Sequence, residues 1–425
     1  MIITFLDAVL FVTYFLLLFL SIFWLLVLFS REEKKIKGQD EKTLQRFPFF
    51  SVIVPAYNEE KSIQATLQSL VSLDYPKDKI EIIVVPNACT DRTVEIVENF
   101  IAQHPLQNIT IVSQESPGKG KAMNRGLAVA NGEYFACLDA DSFIATNALK
   151  VMLPIFEQDQ NIAAVCPLLK VKNPQSVLQK VQWYEYVVNM FYKFLNAKLD
   201  CIHVTPGPFS VYKTKVVKDL GGYDENTITE DLEIAIRLQK HQYKIVQTFD
   251  TFVETMVPTT WKKLFRQRIR WYKGSVDNSL KYRKLIFNKK YGDFGIVRMP
   301  TIILSGIIAI ILVGTFFQAL IAKAMVTFSY LQDINFDLLT LIRHFSFETH
   351  ILSWPFSRLF VAATLTGISF FIMIYSYRLL KERITNHGRT FVSLVTYLFI
   401  YGFFITAVWI YIGFMFIGKK KNFWS

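Results

Sequence analysis

The sequence predicts an α/β domain with a largely parallel sheet, attached to a membrane by transmembrane α-helices. Of its 425 residues, 52% are hydrophobic and only 19% are charged. Four long segments carry few or no ionisable side chains, and β-rich runs alternate with helical patterns between the first two. This composition excludes a disordered scaffold and an ordinary cytosolic enzyme. The formal net charge of +12 fits nucleic acid or anionic lipid and phosphorylated substrates, and the hydropathy favours lipid.

The first apolar segment, Ala8 to Phe29, is long enough to cross a bilayer and too long for the core of a signal peptide. Basic residues after it predict a cytoplasmic C-terminal end and an outside N-terminus. They are Arg31, Lys34, Lys35 and Lys37. Three later spans are predicted at Thr301 to Ala322, Leu359 to Tyr377 and Phe391 to Ile417.

The loop between the last two spans is also basic, which predicts that it is cytoplasmic. Its charges are Arg378, Lys381, Arg383 and Arg389. Four spans would then leave Lys419 to Lys421 outside, against the usual distribution of positive charge. Either the region Met325 to Phe356 contains an extra, partly inserted segment, or the tail is an exception.

The region from about Phe50 to Glu254 predicts βα units. Strands are predicted at Ser51–Val54, Ile80–Val85, Ile109–Ser113 and Tyr134–Leu138, and helices at Lys61–Leu73, Asp91–Phe100 and Lys119–Ala130. The cysteines are far apart and form no C-x-x-C pair, which predicts reduced thiols without a disulfide or a zinc site. They are Cys89, Cys137, Cys166 and Cys201.

Two acidic motifs are candidates for chemistry. Asp139-Ala140-Asp141 follows a predicted strand, where open α/β sheets bind ligands, and paired carboxylates suit a divalent cation bound to phosphate oxygens. Thr229-Glu230-Asp231 opens a predicted helix, Leu232 to Lys240, and one of its carboxylates would serve as a general base. The structural alternatives are a polar turn for the first motif and, for the second, an N-cap followed by acids in the first turn.

The segment Thr260 to Lys273 predicts an amphipathic helix. Trp261, Phe265, Ile269 and Tyr272 fall on one side, which would enter the membrane interface, and Gln267, Arg270 and Trp271 fall on the other, facing a cleft. Contact with anionic lipid would explain Lys262, Lys263, Arg266 and Arg268. It would not explain a tryptophan beside an arginine on the side away from lipid, where they suit a sugar ring and a diphosphate.

Together these motifs resemble the membrane-embedded glycosyltransferases of family 2, which include cellulose, hyaluronan and poly-N-acetylglucosamine synthases. The resemblance covers roughly residues 48 to 275. It rests on five segments in order: Val54-Pro55-Ala56-Tyr57-Asn58-Glu59, Gly118-Lys119 with Ala122-Met123-Asn124-Arg125-Gly126, Asp139-Ala140-Asp141, Thr229-Glu230-Asp231 and Gln267-Arg268-Ile269-Arg270-Trp271. It implies a Rossmann-like GT-A nucleotide-sugar domain and an inverting reaction.

The resemblance also implies roles for individual residues. Asp231 would be the base, with Glu230 beside it, and Asp141 would hold Mg²⁺ or Mn²⁺. Donor and acceptor would contact Ala56, Tyr57, Glu59, Lys119, Asp139, Phe209, Gln267, Arg270 and Trp271. Where relatives commonly read V-V-D-D-G-S-T-D, this chain has Val84 to Asp91 with Pro86 and Asn87 replacing both acids. Asn87 can still pair with a uracil edge, and a UDP-sugar is the donor that the resemblance implies.

The expected function is transfer of a sugar from a nucleotide-sugar to a growing β-linked polysaccharide. Transfer of a single sugar to a polyprenyl phosphate or lipid is one alternative, and a non-catalytic membrane scaffold is another. Membrane lipid, a glycan or lipid-linked acceptor and a homo-oligomer are the expected partners, and nucleic acid is not. The expected organisation is a span in residues 1–30, a cytoplasmic catalytic domain in 31–255, interface helices in 256–298 and further spans of a multi-pass cell-membrane protein in 299–425.

Overall fold

The computed structural model describes residues 5–30, 44, 46–337 and 356–417. Four of the described helical segments are long and apolar enough to cross a membrane: Ala8–Phe29, Phe294–Asp333, Leu359–Leu379 and Phe391–Phe416. They coincide with the four predicted spans, although the second continues further than expected, to Asp333. The basic residues 31–37, most of the region Met325 to Phe356 and the tail 419–421 lie outside the described residues.

A mixed sheet of eight described strands forms the centre of the soluble region, in the order β3-β2-β1-β4-β7-β6-β8-β5. The strands are β1 Phe50–Ala56, β2 Ile80–Pro86, β3 Ile109–Ile111, β4 Tyr134–Cys137, β5 Ser142–Ile144, β6 Ile162–Val171, β7 Val211–Lys213 and β8 Lys244–Thr255. The first four pair in parallel, as predicted, and β7 then pairs antiparallel with both β4 and β6.

The described helices alternate with these strands and continue into the apolar segments. They are α1 Phe5–Phe29, α2 Ile63–Val71, α3 Thr93–Gln103, α4 Lys119–Val129, α5 Ala148–Met152, α6 Val177–Lys198, α7 Thr214–Asp219, α8 Glu230–Lys240, α9 Trp261–Lys281, α10 Met299–Asp333, α11 Phe356–Leu379, α12 Phe391–Val395 and α13 Tyr401–Ile417. Short π-helical turns, Phe294–Arg298 and Thr396–Ile400, lead into α10 and α13.

The sheet is covered on both faces, which explains its continuous apolar strands. Along β1, Val52 and Val54 face one hydrophobic cluster and Ile53 faces the other. Because β1, β2 and β4 run parallel, their carboxyl ends meet at one edge of the sheet. The segments that follow these three strands contain Glu59, Asn87 and Asp139, so the fold brings three distant parts of the sequence to one place.

Helix α9 contacts protein where the sequence predicted a membrane interface. Ile269 packs against Val408 and Ile412 of α13, and the Tyr272 ring stacks on Trp409 with centroids 5.0 Å apart. The apolar side of α9 is therefore covered at Ile269 and Tyr272 by the last described helix of the chain, while Trp261 stays 43% exposed. The amphipathic pattern was identified correctly, but its partner was not, since an apolar stripe does not distinguish lipid from another helix.

The aromatic residues of α6 belong to the core and contact the apolar helices. Trp183 and Val187 pack with Tyr377 of α11, while Phe191 and Leu195 pack near Trp24 of α1. The soluble domain is thereby joined to the apolar helices on either side of it in the sequence.

Candidate active site

Lys119 connects the two acidic motifs. Its Nζ atom lies 2.7 Å from Oδ1 of Asp139 and 2.9 Å from Oε1 of Glu230. Burial acts to lower the pKa of Lys119, but the carboxylates of Asp139 and Glu230 outweigh it and raise the pKa well above its usual value. The lysine is therefore a fixed positive charge, and Asp139 and Glu230, which are 91 positions apart in the sequence, lie at one site.

The backbone before Lys119 explains how this side chain is positioned. Gly118 has a φ of 148°, a conformation that side-chain-bearing residues rarely adopt. Its N–H donates to Oδ1 of Asn87 at 3.2 Å, and the Asn87 N–H donates to the carbonyl of Ala56 at 2.8 Å. Asn87 thus holds the turn that opens α4, and Lys119 is the first residue of that helix.

Asn87 and Ala56 were both predicted to contact the substrate, and their contacts within the chain limit that role. Asn87 is buried, and its acceptor oxygen is already engaged by Gly118, so the expected pairing of that oxygen with a base edge has a competitor within the chain. Ala56 is also buried and packs in the core, so only its backbone faces Asn87. Tyr57, in contrast, is exposed. In the next turn, Glu59 accepts a hydrogen bond from the Ser62 hydroxyl at 2.6 Å.

Asp141 lies in an acidic environment. Burial, followed by repulsion from the carboxylates of Asp139 and Glu59, raises the pKa of Asp141 to about 6. The Ser142 hydroxyl donates to the Asp141 carboxylate at 3.2 Å. A bound cation would relieve the repulsion among these acids.

The carboxylate oxygens of Asp139 and Asp141 suit a hard divalent cation, but they would need further ligands to complete its coordination. Among the described residues, no group of three or more His, Cys, Asp and Glu side chains is arranged to hold a metal ion. Mg²⁺ and Mn²⁺ bind through oxygen ligands, and Mg²⁺ commonly takes one or two carboxylates with substrate phosphates and water. Asp139 and Asp141 match that pattern, in which the substrate completes the coordination.

Asp231 lies in the first turn of α8, beside Glu230. Burial and the Glu230 carboxylate raise the pKa of Asp231 to about 6, against the opposing effect of Lys119 and Arg270. The backbone carbonyl of Asp231 accepts from both the N–H and the hydroxyl of Thr205. A carboxylate with this pKa is ionised at neutral pH and is a better proton acceptor than an ordinary aspartate.

Helix α9 lies directly against the start of α8. The Asn278 side-chain amide donates to the Thr229 hydroxyl oxygen at 3.0 Å, and a β-carbon added at Gly274 would lie 2.3 Å from that same oxygen. Thr229 was predicted as an N-cap, but its hydroxyl makes no capping hydrogen bond and contacts α9 instead. The position of the α8 acids therefore depends on the docking of α9.

The Q-x-x-R-W residues of α9 divide between the site and the helix interface. Arg270 is exposed and close enough to act on the pKa values of both Asp231 and Lys119. Trp271 is half-buried beside the cluster that contains Trp183. Gln267 accepts a hydrogen bond from Arg268.

Contact with anionic lipid was one explanation considered for Arg268, and the structure gives a different one. Its side chain is fully buried and forms an ion pair with Glu185 of α6. Its Nε lies 3.3 Å from the Tyr401 hydroxyl of α13, which itself donates to Glu185 at 2.8 Å. The guanidinium also lies 4.2 Å from the ring centroid of Trp271. A buried carboxylate on another helix, which a helical wheel does not show, explains the difference.

The loop Pro206 to Ser210 closes the site from the side of β7. The Phe209 ring is completely buried against Phe50, so it is a core residue and not the substrate contact that was predicted. The residue that approaches the acids is Gly207, where an added β-carbon would lie 3.4 Å from both Asp139 Oδ2 and Lys119 Nζ. The Pro-Gly-Pro sequence was the only signal for this close approach.

Comparison with known proteins identifies the soluble region. Residues 48–274 match the family described as glycosyltransferase like family 2. A poly-beta-1,6-N-acetyl-D-glucosamine synthase of Staphylococcus epidermidis is 30% identical over 263 residues, covering 60% of this chain and 63% of that protein. A probable glycosyltransferase of Bacillus subtilis, YdaM, is 30% identical over 265 residues, covering 59% of this chain and 60% of its own length.

The alignments therefore span less than two thirds of these relatives. Among solved structures, a mannosyltransferase from Pyrobaculum calidifontis, in complex with GDP-Man and Mn²⁺, superposes with a TM-score of 0.58 at 20% sequence identity. The match covers 91% of this chain and 98% of that one. At this identity the likeness concerns the fold, which is of the predicted GT-A type.

Proposed function

Because the chain belongs to glycosyltransferase family 2, we propose that it transfers a sugar, with inversion, from a nucleotide-sugar donor to a growing β-linked polysaccharide. The observation that carries the proposal is the pair of contacts made by Lys119, since they bring Asp139 and the Glu230–Asp231 pair to one site. The relatives named as poly-beta-1,6-N-acetyl-D-glucosamine synthases support a UDP-linked amino sugar as the donor. The site would then face the cytoplasm, with the apolar helices in the cell membrane.

In this proposal Asp231 takes the proton from the acceptor hydroxyl as that oxygen attacks the anomeric carbon. Its carboxylate is ionised above a pKa of about 6, so it is ready to accept a proton at neutral pH. Attack from the side opposite the leaving diphosphate inverts the configuration, and an α-linked donor yields a β-linkage.

Lys119 and Arg270 provide positive charge at this site. Lys119 neutralises Asp139 and Glu230, which would otherwise repel a diphosphate. Arg270 is an exposed cation of α9 that acts on both Asp231 and Lys119, and it is placed to approach the diphosphate as charge develops on it. We assign Asp141, with Asp139, to a Mg²⁺ or Mn²⁺ ion, which supplies positive charge to the leaving diphosphate when bound.

Trp271 and Gln267 are assigned to the acceptor sugar. In this assignment the indole would orient the acceptor ring, and holding two reactants in the correct orientation lowers the barrier by several kcal/mol. The contact between Trp271 and Arg268 fixes one side of the indole.

The proposal is tested by incubating the purified full chain with a panel of nucleotide sugars in the presence of Mg²⁺ or Mn²⁺. We expect one donor to release its nucleotide and to yield a product that lengthens with time. Release with only one sugar added would instead indicate transfer to a lipid acceptor. Absence of nucleotide release with every donor, from a protein that is folded and monodisperse, would contradict the transferase assignment and support a scaffold.

A further inference from the structure

A group of basic side chains lies next to Asp231, on the side of the apolar helices, and the reaction described above does not use it. It consists of Lys193 in α6, His203 in the loop before Thr205, and Arg298 immediately before α10. Asp231 acts on the pKa of Lys193, and the backbone of Thr205 contacts Asp231 directly. The cluster is therefore adjacent to the proposed base.

Arg298 and His203 are in direct contact, and the charge of Lys193 acts on His203. Nη2 of Arg298 lies 2.6 Å from Nε2 of His203. Since a guanidinium can only donate, the Nε2 atom must accept, and the His203 proton then resides on Nδ1. Burial, together with the charges of Arg298 and Lys193, lowers the pKa of His203 well below its usual value. The imidazole is thus neutral, and its N–H is available to a ligand.

The cluster has an excess of unused donors. The Nζ of Lys193 and the Nε of Arg298 are buried without a hydrogen-bond partner in the described part of the chain. No described carboxylate lies within ion-pair distance of either side chain. Burial lowers the pKa of Lys193, and the Cys166 thiol and the more distant Asp231 carboxylate oppose this only in part. Burial of cations without a counter-charge is unfavourable, and it persists where a ligand supplies the charge. At the residue level all three remain partly accessible, so a ligand has a route of entry.

The cluster also lies at the boundary of the predicted membrane region. Arg298 directly precedes the long apolar run of α10. Lys193 is on a stretch of α6 whose neighbours Phe194 and Leu195 pack near Trp24 of α1 and Ile372 of α11. The phosphate headgroup of a lipid would lie at this same boundary between the membrane and the catalytic domain.

We propose that Lys193, His203 and Arg298 form a binding site for a phosphoryl group. Two cations and a neutral imidazole N–H match the several acceptor oxygens of a phosphate. The phosphoryl group would belong either to a lipid-borne molecule that enters from the membrane or to a soluble phosphate compound. The inference rests on the proposed function only in assigning Asp231 to the reacting centre, beside which a bound phosphate would place its attached group.

The test measures binding without a donor present. The full chain, in phosphatidylcholine nanodiscs, is titrated with polyprenyl phosphate or with polyprenol, which has the same chain without the phosphate, and separately with inorganic phosphate. Lys193→Met and Arg298→Gln are compared with Arg283→Gln, a matched control at an exposed arginine on the segment between α9 and α10. We expect each cluster variant to weaken phosphate binding about tenfold, the scale of one charge-assisted hydrogen bond, and the control to change it less than about twofold.

The arms of the experiment separate the sources. Preference for polyprenyl phosphate over polyprenol, lost in the cluster variants, identifies a lipid-borne phosphate. Binding of inorganic phosphate with the same sensitivity, and no preference between the lipids, identifies a soluble one. Phosphate binding that is absent, or that both cluster variants leave unchanged, overturns the proposal.

Two further measurements distinguish phosphate binding from a purely structural role of Lys193 and from the proposed transferase function. If Lys193 had only a structural role, Lys193→Met would lower thermal stability, whereas removal of an unpaired buried cation is expected to maintain or raise it. Nucleotide release is measured on the same preparations. Phosphate binding without any nucleotide release would contradict the proposed function but not the phosphoryl site. Nucleotide release without phosphate binding would contradict the phosphoryl site but not the proposed function.

Discussion

The buried ion pair between Arg268 and Glu185 gives a quantitative prediction about how α9 is held. Arg268 is 0% and Glu185 8% exposed, and Tyr401 hydrogen-bonds to both. Replacing Glu185 by Met leaves the guanidinium buried without its carboxylate, which is expected to cost about 3–5 kcal/mol. Arg268→Met strands the Glu185 carboxylate and is expected to cost a similar amount.

The assay is thermal unfolding of the purified protein in detergent, followed by loss of the monodisperse peak. The double variant Glu185→Met with Arg268→Met is the control, because replacing a whole buried pair by apolar residues is often close to neutral. We expect each single variant to unfold several degrees below the wild type and the double variant to recover most of the loss. Single variants as stable as the wild type, or a double variant whose loss is the sum of the two, would refute the assignment of a coupled pair.

Further predictions concern the site itself. Asp231 must be ionised to accept a proton, and its pKa is raised to about 6. The transfer rate at saturating donor should therefore fall about tenfold for each pH unit below that value. A rate that stays constant down to a pH of about 5 would exclude Asp231 as the base. Lys119→Met should weaken donor binding at least about tenfold, measured by nucleotide retention, because Asp139 and Glu230 lose their counter-charge. Gly274→Ala should lower the transfer rate sharply, because its β-carbon would lie 2.3 Å from Thr229. Gly314→Ala is the control and should match the wild type, because no atom lies within 4 Å of its β-carbon. Equal transfer rates of the two variants would show that the docking of α9 is unimportant.

The strands and spans were predictable because their signals are local. The four parallel strands begin within one residue of their expected positions, since continuous β-branched runs mark buried parallel strands. The four spans were equally predictable, because each is a long apolar segment in the sequence. The switch to antiparallel pairing at β7 was not predicted, because a three-residue strand gives almost no pattern.

The candidate site was predictable in its membership but not in its contacts. Motif order brought Lys119, Asp139 and Asp231 into one hypothesis, and the contacts of Lys119 agree with it. Side chains whose role depends on a distant partner were assigned wrongly or missed. Arg268 needed knowledge of Glu185, and Phe209 needed knowledge of Phe50. Such pairings arise from the tertiary structure, and no spacing within a single segment encodes them.

The account depends most on Asp231 acting as the base beside the Lys119 cluster. The direct measurement is transfer of a radiolabelled sugar by Asp231→Asn, compared with the wild type, together with donor retention by both proteins. The substitution preserves shape and removes the proton acceptor, so we expect donor retention close to that of the wild type and transfer reduced at least about a hundredfold. Transfer at an unchanged rate would contradict the account.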